Sequence, residues 1–182
     1  MSQGAEAVSG GVSENAVLPK LRRAARLDAV VRPMTDEDMP FLARLYRSTR
    51  EDELALTGWE EAQKQSFLDM QFRAQHVHYR KHYPDALWLI VEQAGKEVGR
   101  LYLERWSKEH RIIDIALLPS ARGKGLGEAM LRDLHEEAAL CGRAVSIHVE
   151  KLNPAMSLYR RLGYQAAEDK GVYELLMWTP AD

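Results

Sequence analysis

Arg122-Gly123-Lys124-Gly125-Leu126-Gly127 decides how this chain is read. Before it runs Arg111-Ile112-Ile113-Asp114-Ile115-Ala116-Leu117-Leu118, apolar enough for a central strand and stopped by Pro119. After it, Leu126, Met130, Leu134, Ala138 and Cys141 recur at helical spacing. That spacing predicts a helix from Gly125 to Cys141, closed by Gly142. A helix start carries unpaired N–H groups and partial positive charge, and glycines let an anion approach the backbone closely. Arg122 and Lys124 add full charges, so the turn suits a phosphate or pyrophosphate. It is not a P-loop, because Gly125 and not Ser or Thr follows Lys124. It is not a dinucleotide fingerprint, because Glu128 stands where the third glycine belongs. Taken alone, the stretch also fits a glycine-rich turn with no ligand.

Working outward, Leu87 to Glu92 and Val98 to Arg105 predict a hairpin about Ala94-Gly95-Lys96. The run LDAVVRP over 27–33 predicts a short strand. Thr35 and Asp38 then stand at capping-box spacing, and a helix is expected through Arg50. Residues 51–58, with Gly58, read as a loop. Trp59, Ala62, Phe67, Met70, Ala74 and Val77 predict the apolar face of a second helix reaching His82, ended by Pro84. Beyond the central helix come a strand over AVSIHVE (144–150), a short helix ending at Gly163, and a hairpin turning at 169–171. The order β α α β β β α β α β β predicts an α/β (α+β) mixed sheet with helices on both faces. Stretches 111–149 and, more loosely, 144–168 have strand–helix–strand form, with right-handed crossovers expected for parallel pairs.

The 182 residues are 46% hydrophobic and 29% charged, a globular composition able to bury roughly 70% of the unfolded surface. Lys+Arg 25 against Asp+Glu 27 gives net −2, so no bulk positive field points to nucleic acid or anionic lipid. No apolar run approaches the roughly 18 residues of a membrane span. The single cysteine, Cys141, excludes an intrachain disulfide and a Cys-cluster zinc site. It fits a reducing compartment, and a cytoplasmic location is expected. Residues 1–27 are small, polar and Gly/Ser-rich at first, without the charged start and apolar stretch of a secretory signal. They are expected to form a flexible tail ahead of one domain over 28–182. Lys20, Arg22, Arg23 and Arg26 make a basic patch there, either solvated or a docking arm for an acidic partner.

Arg122, Gly125 and Gly127, read as Arg-x-x-Gly-x-Gly after a strand ending Leu117-Leu118-Pro119, resemble the acetyl-CoA motif of the GNAT superfamily of N-acetyltransferases. HVEKLNPAMSLYRRLGY (148–164) is similar to that family's strand, Asn, short helix with Leu-Tyr, and Arg-x-Gly-Phe/Tyr. The motifs stand in the family's order, and the elements agree over roughly 28–179. The resemblance implies a GNAT-like fold, acetyl-CoA as cosubstrate, and direct transfer to a primary amine of a small molecule or peptide in a ternary complex. By position, it implies that the amides of Arg122, Gly123, Lys124, Gly125, Leu126 and Gly127 hold the pyrophosphate. Leu117 and Leu118 would present backbone groups to the pantetheine arm, the Leu117 N–H also polarising the thioester carbonyl. Asn153 would contact the cofactor arm, and Tyr159 would protonate the leaving thiolate. The family needs no metal, so His76, His78 and His82 read as solvated or amine-site histidines. The alternative is a non-catalytic acyl-CoA-binding module that senses its ligand or pairs with a partner. A nucleic-acid accessory protein using its basic arm is a third reading, and Met- and aromatic-bearing helices could support a homodimer.

An alkylammonium of pKa about 10.4 must lose a proton before it attacks, whereas a thiolate of pKa about 8.5 leaves with modest help. Strand alternation gathers the candidate bases. Asp114 shares a face with Ile112, Ala116 and Leu118; Ser146, His148 and Glu150 lie opposite Val145, Ile147 and Val149; Arg100, Tyr102 and Glu104 lie opposite Leu101 and Leu103. A turn near Lys108 sets Tyr102 across from Asp114, a register that a one-residue slip would reverse. Asp114 is then a base, or the anionic partner of Arg100 or Tyr102 in a network holding the sheet. Glu150, where its strand ends, is a base or amine anchor. Tyr159 shares a helical face with Ala155, Leu158 and Leu162, so a core tyrosine is its plain alternative. Glu51, Asp52 and Glu53 are an acidic lip for a cationic amine or a solvated charge run.

Overall fold

A computed structural model describes residues 13–181. A 3-10 turn (Glu14–Ala16) leads into α1 (Arg22–Ala25), β1 (Ala29–Pro33), α2 (Met39–Ser48), α3 (Glu51–Ala55) and α4 (Glu61–His82). Three strands follow, β2 (Leu87–Gln93), β3 (Lys96–Arg105) and β4 (Glu109–Leu117), then α5 (Leu126–Leu140), β5 (Ala144–Glu150), α6 (Met156–Arg161), β6 (Gln165–Lys170) and β7 (Tyr173–Trp178). They form one seven-stranded sheet in the order β1-β2-β3-β4-β5-β7-β6. Only β4 and β5 pair in parallel. The looser stretch 144–168 gives no second parallel pair, because β7 lies between β5 and β6. No helix of the described residues is long and apolar enough to cross a membrane.

Each face of the sheet carries its own core. On one, Leu101, Leu103, Ile112, Val145 and Ile147 pack against Leu126, Met130, Leu134 and Ala138 of α5. On the other, Ile90 packs against Phe41, Leu42 and Leu45 of α2 and Leu68 and Phe72 of α4. Burying each such side chain stabilises the fold by about 1.5–3 kcal/mol. The expected α5 face holds except at its end, where Cys141 is exposed beyond the last helical turn.

The face expected for α4 is not the one it buries. Met70 is 61% exposed and Val77 65%. The inward stripe includes Gln71 and Gln75, which accept hydrogen bonds from Tyr46 Oη at 3.2 Å and Arg100 Nη2 at 2.8 Å. Polar residues with partners inside therefore blur the apolar period. The expected loop at 51–58 begins with α3, whose acidic first turn suits the helix dipole and whose Leu54 is buried.

The described part of the expected tail is docked. Leu21 and Ala24 are buried against α5. α1 has no side-chain cap of its own. Instead the Asp133 carboxylate, 3% exposed, accepts the N–H groups of Arg23 at 2.9 Å and Ala24 at 3.1 Å. The Arg23 guanidinium also pairs with Asp133 and Glu136. Its acidic partners thus belong to its own chain. Two apolar anchors and a cap from a distant helix leave little local signal. Residues 1–12 lie outside the described residues.

A bulge in β4 positions everything that follows. Pairing with β3 passes from Tyr102↔Asp114 to Leu103↔Ile112, so Ile113 is the extra residue. Tyr102 does face Asp114, as expected. Ile112 does not share the Asp114 face; the bulge turns it into the α5 core, while Ala116 and Leu118 pack on the α2–α4 side. β4 pairs with β5 only from Glu109↔Ala144 to Ile112↔Ile147, whereas β5 runs on beside β7 to Glu150↔Tyr173. Past the bulge β4 and β5 splay apart.

Candidate active site

The splay opens onto the loop before α5. The Leu118 N–H donates to the Val98 carbonyl of β3 at 2.7 Å. By strand alternation the Leu117 N–H points the other way, into the splay. Its carbonyl is fixed by Arg122 Nε at 2.8 Å. The Leu118 carbonyl accepts from the Ala121 N–H at 2.9 Å and keeps a second lone pair for another donor.

The turn itself is held in an open form. Gly123 (φ +69°) and Gly125 (φ +84°) take left-handed backbone, and no atom lies within 4 Å of a Cβ at either position. None of the amides from Gly123 to Glu128 donates to a backbone carbonyl; the ladder of α5 starts with the Ala129 N–H on Gly125. These N–H groups are the unpaired donors of a helix N-terminus. Lys124 Nζ folds back onto the Ser120 carbonyl at 2.8 Å. Lys124 and Arg122 therefore shape the loop, and the amides are left as its unpaired donors. Leu126 roots the turn, its side chain 1% exposed in the α5 core. Gly127 brings the helix against Leu117, whose Cδ1 would lie 3.8 Å from a Cβ there.

Across the splay, Asn153 Oδ1 accepts the Ala155 N–H at 2.8 Å and shapes the turn into α6. Tyr159 is 5% exposed and its ring meets Tyr164 edge-on, with centroids 5.4 Å apart. Its hydroxyl has no hydrogen-bond partner among the described residues, yet is not sealed off as the unpaired Tyr164 hydroxyl is. Burial pushes the Tyr159 phenol well above its usual 10, and the Asp114 carboxylate adds to the effect. It therefore stays protonated at neutral pH.

Both Asp114 oxygens are taken. Arg100 grips them from Nε at 3.2 Å and Nη2 at 2.8 Å, and the Tyr79 hydroxyl donates at 3.2 Å. Glu150 is more open. Tyr173 Oη at 3.3 Å and Arg50 Nη1 at 3.2 Å both address its Oε1, leaving Oε2 without a partner. Arg50 also pairs with Glu53, and Glu51 lies 3.8 Å from Arg47. Asp52 alone of the acidic lip has no ion pair among the described residues.

Two residues were not singled out from the sequence. Arg50 ties the α2–α3 junction to the end of β5, a long-range pair with no local signal. His148 is exposed on the face of β5 that carries Glu150. Arg111 Nη1 lies 3.2 Å from its Nδ1. Arginine can only donate, so the neutral ring carries its proton on Nε2. Burial, then Arg111, holds its pKa below the usual 6.5. Alternation with Glu150 was the available signal. Among the histidines of α4, His78 and His82 stack at 4.0 Å.

Residues 84–166 match the family model described as an acetyltransferase (GNAT) domain. A mycothiol acetyltransferase of Corynebacterium glutamicum (strain R) is 37% identical over 95 residues, 50% of this chain and 32% of that protein. The chain thus spans about a third of that relative's length. A Bacillus subtilis (strain 168) protein assigned as a ribosomal protein bS18-alanine N-acetyltransferase is 29% identical over 131 residues, 65% of this chain and 85% of that one. The fold is similar to the crystal structure of PaiA N-acetyltransferase from Thermoplasma acidophilum in complex with coenzyme A. The TM-score is 0.62 at 16% identity, over 84% of this chain and 99% of that one. Sequence match, sheet order and the open turn before α5 agree: over residues 84–166 the chain is similar to the acetyltransferase (GNAT) domain.

Proposed function

We propose that the chain is an acetyl-CoA-dependent N-acetyltransferase acting on a primary amine, on a small molecule or a peptide N-terminus, by direct attack in a ternary complex. The observation that carries this is the row of unpaired amides from Gly123 to Glu128 beside the Leu117 N–H at the mouth of the β4–β5 splay. Such a row suits a diphosphate, and the parted strand edges can receive an extended arm. Acetyl-CoA supplies a thioester; the amine nitrogen forms a bond to its carbonyl carbon and the C–S bond breaks. The Leu117 N–H would meet the charge developing on the carbonyl oxygen. Tyr159, kept protonated by burial, would give its proton to the departing sulfur. Asn153 Nδ2 is left to meet the cofactor arm.

Glu150 Oε2 is the better-placed acceptor for the amine's proton, directly or through a water, because Asp114 is occupied by Arg100 and Tyr79. Asp114 then acts as the fixed anion of a network holding α4 to β3 and β4. His148 Nε2–H would offer a donor to a carbonyl of the acceptor. We assign residues 28–182 to the transferase domain, with the stretch from Ser13 docked on it.

The test is calorimetric titration with coenzyme A, followed by coenzyme A release from acetyl-CoA across small amines and peptide N-termini. Binding with turnover supports the proposal. Binding without turnover on any amine identifies a sensing module instead, and no binding at millimolar concentration overturns both.

A further inference from the structure

Arg50 stands where α2 gives way to α3, and its backbone is locked from both sides. Its N–H donates to the Arg47 carbonyl at 2.9 Å, and its own carbonyl accepts the Leu54 N–H at 3.1 Å. Its guanidinium carbon lies 5.8 Å from the centre of the Tyr46 ring, one helical turn back. Tyr46 is buried, and its hydroxyl donates to Gln71 of α4. Arg50 Nε is buried as well and has no hydrogen-bond partner among the described residues. The side chain is therefore seated against the α2–α4 core, and its far end reaches across to the sheet.

That end meets two carboxylates. Arg50 Nη1 lies 3.1 Å from Glu53 Oε1 and 3.2 Å from Glu150 Oε1. The Tyr173 hydroxyl donates to the same Glu150 oxygen at 3.3 Å. Tyr173 stands opposite Glu150 in the β5–β7 register, so the sheet itself fixes this donor. Burial, then the Glu150 carboxylate, raises the Tyr173 phenol above its usual 10, so it has a proton to donate at neutral pH. A glutamate side chain is otherwise free to rotate, and ordering it costs entropy. Two donors on one oxygen restrain that freedom and leave Oε2 as the open acceptor. We infer, resting on Glu150 as the proton acceptor, that Arg50 is a positioning residue: with Tyr173 it pins Glu150 Oε1, so that Oε2 is presented to the attacking amine. The nitrogen loses its proton to Oε2 and keeps the electron pair that bonds to the thioester carbonyl carbon. The C–S pair leaves on the thiolate. Arg50 acts through Glu150 alone.

A kinetic double-mutant cycle separates this role from a strap that only holds the α2–α3 junction to β5. The readout is coenzyme A release from acetyl-CoA, with whichever small amine or peptide N-terminus the unaltered chain turns over fastest. Arg50→Met should lower kcat about tenfold or more. The KM for acetyl-CoA should change by less than about twofold. Arg50→Lys keeps the cation without the fork, and should recover part of the loss. In a Glu150→Gln chain, Arg50→Met should change kcat by less than about twofold, because the side chain it holds no longer takes a proton. Should urea unfolding show that Arg50→Met does not fold, Tyr173→Phe takes its place in the cycle, since that hydroxyl serves the same oxygen. Equal losses in both backgrounds, or no loss in either, overturn the positioning role and leave Glu150 its own. A Glu150→Gln chain as fast as the unaltered one overturns the reading of Glu150, and the role of Arg50 with it.

Discussion

Gly99 lies directly across the β3–β4 ladder from Leu117, in space that has no room for a side chain. A Cβ on Gly99 would stand 2.4 Å from the Ala116 carbonyl oxygen and 2.6 Å from Leu117 Cδ2. The first of these neighbours is backbone and cannot swing aside. Gly99→Ala must therefore shift β4 where the Leu117 N–H faces the splay. The expected cost is about 1–3 kcal/mol of stability. A displaced donor should also lower kcat, by up to ~10²-fold. Thermal unfolding with steady-state kinetics checks this. A stable variant with unchanged kcat would remove Leu117 from the oxyanion role.

Asp114 and Glu150 should fail in different ways. Arg100 is 4% exposed, and Asp114→Ala leaves its charge buried without an anion. That loss should cost about 3–5 kcal/mol. Arg100→Met in the same chain should restore much of the stability, because no lone charge then remains. Glu150 sits in a more open pair with Arg50. Glu150→Gln should cost less than about 1 kcal/mol. It should lower kcat about 10²-fold if Glu150 takes the proton. Urea unfolding beside initial rates separates the two patterns. The assignment of Glu150 fails if Glu150→Gln turns over at the wild-type rate from pH 6 to 9.

Much of this site was legible in the sequence, for a physical reason. Strand and helix periods, the turn glycines and the Arg122–Gly127 stretch act locally, and they set the order of elements and the open helix start. The turn alone would set Tyr102 across from Ile113, and the expected Tyr102–Asp114 pair is delivered by the bulge. What stayed hidden depends on long-range geometry. The bulge at Ile113 inserts one residue without changing composition, so Ile112 turns away from the expected face. Gln71 and Gln75 point inward because Tyr46 and Arg100 wait there. Asp133 caps a helix that precedes it by more than a hundred residues. No local pattern encodes these partners.

Tyr159→Phe isolates the phenolic proton. The ring can keep its edge-on packing against Tyr164, so stability should change by less than about 1 kcal/mol. kcat should fall about 10²–10⁴-fold, with the KM for acetyl-CoA little altered. An acid must hold its proton to work, and burial raises this phenol above its usual 10. The kcat of the unaltered chain should therefore show no basic-side loss from Tyr159 below pH 10. A matching fall in binding but not in kcat would return Tyr159 to a packing role.

His135 makes acid stability a test of the α5 core. Its ring stacks on Trp178 at 4.0 Å and 2° between planes, and its Nε2 is buried without a partner. Burial, with Arg132 nearby, lowers its pKa from 6.5 to about 4. The folded chain thus resists protonation that the unfolded chain accepts. Stability from the neutral ring is complete above pH 6.5, falls as the pH drops below that value, and is lost by pH 4. The loss should be on the order of 3 kcal/mol. His135→Phe can keep the stack on Trp178 but cannot titrate. The difference in urea unfolding free energy between the two chains should therefore move in favour of the Phe variant as pH falls from 6.5 to 4. A difference that stays constant over that window would show that the His135 ring is solvated or paired in the folded chain.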